Sequence, residues 1–166
     1  MKFTTDLLRQ ARSLAESDRR RPRQANVRRA ASSAYYALFH ELTDQAARRL
    51  VRARGRDAHR DLVRRSYQHR RMAEICKAFA RPVIPDWLTR AGVAPSDDIR
   101  EIARTFVFLQ QERHVADYDL AEQFTRTRAF DAIARANHAI AVITAVRSNA
   151  DWDFFVIALL LDRPRR

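Results

Sequence analysis

Two stretches far apart in the chain carry the side chains best suited to chemistry. Arg29, Ser33, Tyr36 and His40 lie in the first, and Arg113, Asp117 and Tyr118 in the second. A histidine titrates near neutrality and can take or give a proton. An arginine keeps its charge and grips an anion such as phosphate at two points of its planar fork. A tyrosine donates a hydrogen bond and offers a face for stacking. His40 and Arg113 are therefore the candidate catalytic residues, and Arg29, Tyr36, Asp117 and Tyr118 the candidate binding residues. A structural reading stands beside this one. Arg113 and Asp117 are four apart, the spacing of an ion pair within one helix. They read first as a clasp closing a helix end and second as a cation held for a phosphate. Tyr36 and His40 likewise suit a polar helix face or an interhelical hydrogen bond.

Helices must position these residues. Between Pro22 and Gly55 no proline or glycine interrupts the chain, and alanine, leucine, arginine and glutamate dominate it. One long helix is expected over residues 22 to 54. At 100° per residue, Val27, Ala31, Ala34, Tyr35, Leu38 and Leu42 share a side that should face the core. Arg29, Ser33, Tyr36 and His40 share the opposite side. Gly55 is placed to terminate this helix. A shorter helix over 4 to 18 precedes it, capped by Thr4 or Thr5, and the segment 18 to 24 is a polar break.

A third helix is expected over 57 to 80, with Leu62, Ser66, His69, Ala73, Cys76 and Ala80 on its apolar stripe. Residues 81 to 96 hold three prolines and Gly92 and form the one long irregular connection, with Trp87 as a strap against the bundle. A fourth helix starts at Ser96-Asp97-Asp98, where the acidic residues suit the positive end of its dipole. Its inner face is Ile99, Ile102, Ala103 and Phe106, and Phe108 points outward as a partner surface. A fifth helix covers 122 to 148. The segment 149 to 166 is a short apolar helix followed by a basic tail. The expectation is a single all-α domain over 1 to 166, an up-and-down bundle of five to six helices. The apolar tail and the outward Phe108 point to a homodimer, unless the tail closes the core of its own chain.

Composition narrows the function. Two glycines in 166 residues exclude a glycine-rich phosphate loop and argue against a sheet protein with many tight turns. A single cysteine, Cys76, excludes an internal disulfide and a multi-cysteine metal site. It reads as a small buried hydrophobe. The histidines show no metal-ligand spacing, so neither metal nor cofactor is expected. The start of the chain lacks an apolar signal core, and the run at 154 to 161 is far below the ~20 residues of a membrane span. A cytoplasmic protein without membrane contact follows. The formal charge of +12 attracts phosphate backbones. All but two of the 32 basic residues are arginine, a bias that genome composition alone can also produce.

The segment RRAASSAYYALFH, Arg28 to His40, followed far downstream by LQQERHVADYD, Leu109 to Asp119, resembles the HEPN superfamily of helical proteins. It is closest to small bacterial members with an AYY-x-x-FH helix and a later R-x-x-ADYD segment. Gly55 and His59 add a weaker likeness. The resemblance covers residues 20 to 148. It implies a helical bundle, commonly dimeric, that acts in toxin–antitoxin or defence systems. It further implies a metal-independent ribonuclease or an RNA- or nucleotide-binding module. The implied partners are an acidic antitoxin or a nucleotidyltransferase-like protein. Nuclease members of the family place a histidine shortly after the late-helix arginine. Here Tyr118, Asp119 and Leu120 occupy those positions, and His114 is adjacent to Arg113. Cleavage by this chain would have to draw on His40 as acid or base, with Arg29 and Arg113 on the phosphate oxygens and Tyr36 and Tyr118 donating or stacking. A non-catalytic nucleotide, nucleic-acid or protein-binding module is the alternative.

Overall fold

The computed structural model describes residues 2–17 and 21–161. Part of the expected polar break at 18 to 24 and the basic end of the tail lie outside the described residues. The fold is all-α, and no strand occurs among the described residues. Among the described residues eight helices follow in order: α1 (Lys2–Glu16), α2 (Gln24–Leu50), α3 (Asp57–Ser66), α4 (His69–Phe79), α5 (Asp86–Arg90), α6 (Asp97–Tyr118), α7 (Arg126–Val146) and α8 (Ala150–Ala158). That is more than the five to six expected. The element order, with short connections, suits an up-and-down bundle.

The extra helices come from two places. The expected helix over 57 to 80 is broken where Tyr67 and Gln68 turn extended. Tyr67 buries its ring and donates its hydroxyl to the Val156 carbonyl at 2.9 Å, a bond the helical conformation would forgo. The irregular connection folds its own helix, α5. This helix ends in a Schellman turn, with Gly92 at φ +69°, the Val93 N–H on the Leu88 carbonyl and the Gly92 N–H on the Thr89 carbonyl. Boundaries also move. α1 begins before the expected caps, so Thr4 is a buried residue inside it. α2 stops at Leu50, and Gly55 lies in the turn beyond rather than at its end. The carbonyls of Val51 and Ala53 are taken instead by the Arg60 guanidinium.

The chain divides into two compact units. The first comprises Met1–Glu41 and Phe108–Ala141, and the second Leu42–Val107 and Val142–Arg166, so α2, α6 and α7 contribute a stretch to each. In the first unit the core is rich in alanine: Ala11 and Ala15 of α1, Ala30, Ala31, Ala34 and Ala37 of α2, and Ala129, Ala132, Ala136 and Ala139 of α7 are all buried. Small side chains let helix axes approach closely. Tyr35, Leu38, Leu109 and Phe124 supply the bulk. Phe108 is not a bare partner surface, because Arg135 of α7 lies over its ring at 4.5 Å.

The second unit is built on large side chains. Trp152 and Phe155 of α8 are fully buried, with Phe79, Met72, Ile75, Leu88, Ile99 and Phe106. Phe79 touches Phe155 edge-on at 5.0 Å, and Trp87 of α5 packs against Phe79 at 6.2 Å, as a strap should. The apolar tail thus closes its own unit. Both apolar features that pointed to a homodimer have an occupant within the chain. Cys76 is fully buried, and burial pushes its thiol pKa up, which keeps it protonated and inert.

α7 is long and apolar enough by length and composition to cross a membrane, with a third of its most apolar window buried. It is the one such helix among the described residues. Its alanine face is core, and Arg128, Asp131 and Arg135 lie in its first half. The apolar run at 139 to 146, which its sequence suits to deep burial or to sharing with another subunit, leaves Ala141, Thr144 and Ala145 exposed.

Candidate functional site

On α2 the expected core residues Val27, Ala31, Ala34, Tyr35, Leu38 and Leu42 are all buried. The positions from 27 to 47 that are not buried are Arg29, Tyr36 and His40 of the expected polar face, whose fourth member Ser33 is buried. From Ala30 to Ala47 nearly every residue is buried, polar ones included. Ser32, on neither expected face, donates its hydroxyl to Asp117 Oδ1 at 2.6 Å. The first half of α2 therefore packs polar groups as well as apolar ones against the end of α6.

The junction is secured by Arg28, which sequence reasoning passed over in favour of Arg29. Arg28 is buried, and its guanidinium donates to the carbonyls of Val115, Ala116, Asp119 and Glu122. These carbonyls form the last turn of α6 and the loop after it. A helix C-terminus leaves such groups without partners and carries partial negative charge, so a cation there is stabilising on both counts. Gln24 secures the far end of the same loop. Its side chain receives the Phe124 N–H at 2.9 Å and donates to the Phe124 carbonyl at 3.0 Å. Arg29, the adjacent candidate, is exposed on α2. Arg29 is exposed, as its expected face requires, and Arg28, one residue and 100° away, lies on neither expected face.

Within this frame lies a cluster around Arg113. Its Nε donates to Asp117 Oδ2 at 2.8 Å, the expected clasp. With Ser32 on the other oxygen, the Asp117 carboxylate is fixed at both ends. Three tyrosine rings surround the same guanidinium: Tyr35 at 5.9 Å, Tyr36 at 5.6 Å and Tyr118 at 5.8 Å from Cζ, all within cation–π range. Burial opposes the Arg113 charge most strongly, but Tyr36 and Asp117 outweigh it and hold the pKa above its ordinary value. The cation is thus permanent and oriented. Among the described residues Asp117 takes only its Nε proton, which leaves both terminal nitrogens for another acceptor.

That acceptor has room. A cavity of about 510 Å³ is lined by Gln110, Gln111, Arg113, His114 and Val115 of α6. His114, whose position next to Arg113 departs from the family's nuclease spacing, is exposed on this wall with its ring 5.1 Å from that of Tyr118. Tyr118 is itself 64% exposed.

His40 stands one step away. It is enclosed by aromatic rings: Phe3 at 5.2 Å, Phe39 at 5.4 Å and Tyr36 stacked at 6.3 Å. Burial lowers its pKa, so the ring is neutral at pH 7. Tyr36 touches both His40 and Arg113, and the distances to its ring limit their separation to about 12 Å. The structure therefore brings Tyr36, Arg113, Asp117 and Tyr118 together, sets His40 against the Tyr36 ring, and leaves Arg29 exposed on the surface. No three histidine, cysteine, aspartate or glutamate side chains gather to hold a metal among the described residues. The chain matches no protein-family model, no curated protein and no solved structure.

Proposed function

We propose that the chain is a HEPN-like cytoplasmic protein of a toxin–antitoxin or defence system and that it engages RNA at the Arg113 cluster. The observation that carries this reading is the guanidinium itself. It is fixed by Asp117 and three tyrosines, keeps two terminal nitrogens available, and lies on the wall of a cavity. A fork held in this way suits phosphate oxygens. The neighbouring exposed rings of Tyr118 and His114 suit unstacked bases. The ordered pair of segments around Tyr36 and Arg113 supports the family assignment. The homodimer and the acidic antitoxin or nucleotidyltransferase-like partner rest on the resemblance.

In its catalytic form the reading needs no metal. Neutral His40 takes the 2′ proton as the ribose 2′ oxygen bonds to phosphorus, and Arg113 offsets charge on the phosphorane. The Tyr36 hydroxyl gives a proton to the 5′ oxygen as its bond to phosphorus breaks, leaving a 2′,3′-cyclic phosphate. One observation favours a non-catalytic module instead: His40 packs against the rings of Phe3, Tyr36 and Phe39, whereas the cavity wall that carries Arg113 is lined by Gln110, Gln111, His114 and Val115.

The test is incubation of purified protein with mixed single-stranded RNA in excess chelator, alongside equilibrium binding. Cleavage abolished in both His40→Ala and Arg113→Ala supports the ribonuclease. Saturable binding without product, weakened at least tenfold in Arg113→Ala, supports the module. Neither binding nor cleavage by the wild type would sink the proposal.

A further inference from the structure

We infer that the first turn of α1 is a lid on His40, seated by Phe3 and able to lift while the rest of α1 stays docked. The lid itself does not depend on the RNA reading; its consequence for cleavage rests on that reading.

The rings around His40 are of two kinds. Tyr36 and Phe39 belong to its own helix, four residues and one residue before it, and move with it. Phe3 comes from α1 and meets the imidazole at a steep angle, with centroids 5.2 Å apart and planes at 71°. Phe3 is 54% exposed, so its ring is laid on His40 from outside rather than packed into the core. A ring in that position keeps water and any reactant off the part of the imidazole it covers. His40 is the proton acceptor of the catalytic reading, so access to it decides whether that role can be filled.

α1 is fastened unevenly. Its second half buries Ala11 and Ala15 completely. Just past its end the Ser17 hydroxyl receives the Asn26 side-chain N–H at 2.9 Å, and the Ser17 carbonyl receives an Arg126 N–H at 3.4 Å. These bonds tie that end to α2 and α7. The first half buries only Thr4, and about 10 Å of helix separates Thr4 from Ala11. Thr4 is also a poor fastening. Its hydroxyl is buried without a hydrogen-bond partner among the described residues, and lifting the turn returns it to water. The first turn holds no acidic residue and carries Lys2 at the positive end of the helix dipole, the wrong sign for that place. Opening this turn alone therefore costs less than releasing the whole helix, as in local unfolding of a lightly held segment.

Two measurements on the full chain test the lid. The first is acylation by diethyl pyrocarbonate at a pH where imidazoles are neutral, read residue by residue by peptide mass spectrometry. His40 should react at least about fivefold faster in Phe3→Ala than in wild type, because its closed state is lost, while exposed His59 and His114 keep their rates. Circular dichroism checks that the variant is folded. The second is hydrogen exchange on the wild type, which needs no variant. Amides of residues 6–9 should exchange at least about tenfold faster than those of 12–15 once intrinsic rates are divided out. Equal protection of both halves overturns the lid, because the first turn then opens only with all of α1. Unchanged acylation of His40 in Phe3→Ala overturns it too, because Phe3 then covers nothing. Incubation of the same proteins with mixed single-stranded RNA separates the lid from the ribonuclease. Cleavage that rises in Phe3→Ala and vanishes in Phe3→Ala/His40→Ala joins the two. A His40 that opens as expected without any cleavage overturns the ribonuclease reading and leaves the lid standing.

Discussion

Replacing Arg28 by methionine isolates what one buried guanidinium does for the site. Methionine keeps an unbranched stem but removes donors to four carbonyls. The Val115 carbonyl also receives the Asp119 N–H at 3.1 Å and keeps that bond. The carbonyl of Ala116, a buried residue, loses its cationic partner, at about 1–3 kcal/mol for a buried acceptor left unsatisfied. Asp119 and Glu122 are exposed, so water replaces Arg28 there and the two losses together cost about 1 kcal/mol. The expected destabilisation is about 3 kcal/mol. Arg28→Lys should recover less than half, because an ammonium is a point donor and cannot span acceptors on both the helix end and the loop. Arg29→Met, one residue away and exposed, should stay within about 0.5 kcal/mol of wild type. Urea unfolding of the four proteins measures these values. Hydrogen exchange should also accelerate over residues 115 to 125 in Arg28→Met, and RNA binding should weaken because Asp117 and Tyr118 lie in the loosened turn. An Arg28→Met protein no less stable than Arg29→Met would refute the account of how this site is held.

Two further perturbations probe other groups. His40 has a lowered pKa because burial disfavours its charged form, so the unfolded chain takes up the proton first as pH falls. Its contribution to stability is complete above the ordinary value of 6.5 and is lost as pH drops toward the folded value. Urea midpoints at pH 7.5 and 5.5 should therefore differ more for wild type than for His40→Gln, and equal differences would contradict the assignment. In the second unit, Asp44 is almost wholly buried and accepts from Arg48 at 2.6 Å and Arg64 at 2.7 Å. Asp44→Asn should cost about 3 kcal/mol and raise exchange across α3, which has no buried residue of its own to hold it. Asp61→Asn, at a half-exposed partner of Arg64, should change stability by less than about 1 kcal/mol, and an equal loss in both variants would argue against the burial of Asp44 as the cause.

The helices were legible where breakers bound them. The proline-free window gave α2, and Ser96-Asp97-Asp98 gave the start of α6 within a residue. Periodicity failed where burial is not apolar. On α2, Ser32 and Asp44 are inside because Asp117 and two arginines satisfy them, and a hydrophobic pattern carries no trace of such partners. It also failed at Tyr67, whose bond to a carbonyl 89 residues away outweighs one turn of helix. In the site, Arg113, Asp117, Tyr36 and Tyr118 were legible because the i,i+4 pair and the paired tyrosines are local signals. Arg28 was not, because its acceptors are backbone carbonyls, which any sequence supplies. A weak signal for it does exist: an arginine next to a run of small residues at the start of a long helix is placed to reach a neighbouring helix end.

The same observation bears on why this chain uses arginine so heavily. Arg28, Arg60, Arg71, Arg100 and Arg126 all donate to backbone carbonyls, at helix ends or in connections. Arg28, Arg60 and Arg100 each reach two or more, a span that suits a planar fork and not an ammonium. At these positions arginine has a structural reason independent of genome composition. Carbonyls are neutral, however, so this capping leaves the positive charge in place, whereas the pairs with Asp44, Asp153 and Glu112 cancel theirs. A fold that joins its helices with two glycines and many guanidinium caps will therefore be strongly basic whatever it binds. Net charge then says little about where a polyanion sits. Arg113 differs from the capping arginines in kind. Its remaining neighbours are tyrosine faces rather than carbonyls, and aromatic faces hold a guanidinium without consuming its hydrogen bonds. That difference, not the total of +12, sets Arg113 apart from the capping arginines, and the proposed ligand contact rests on it.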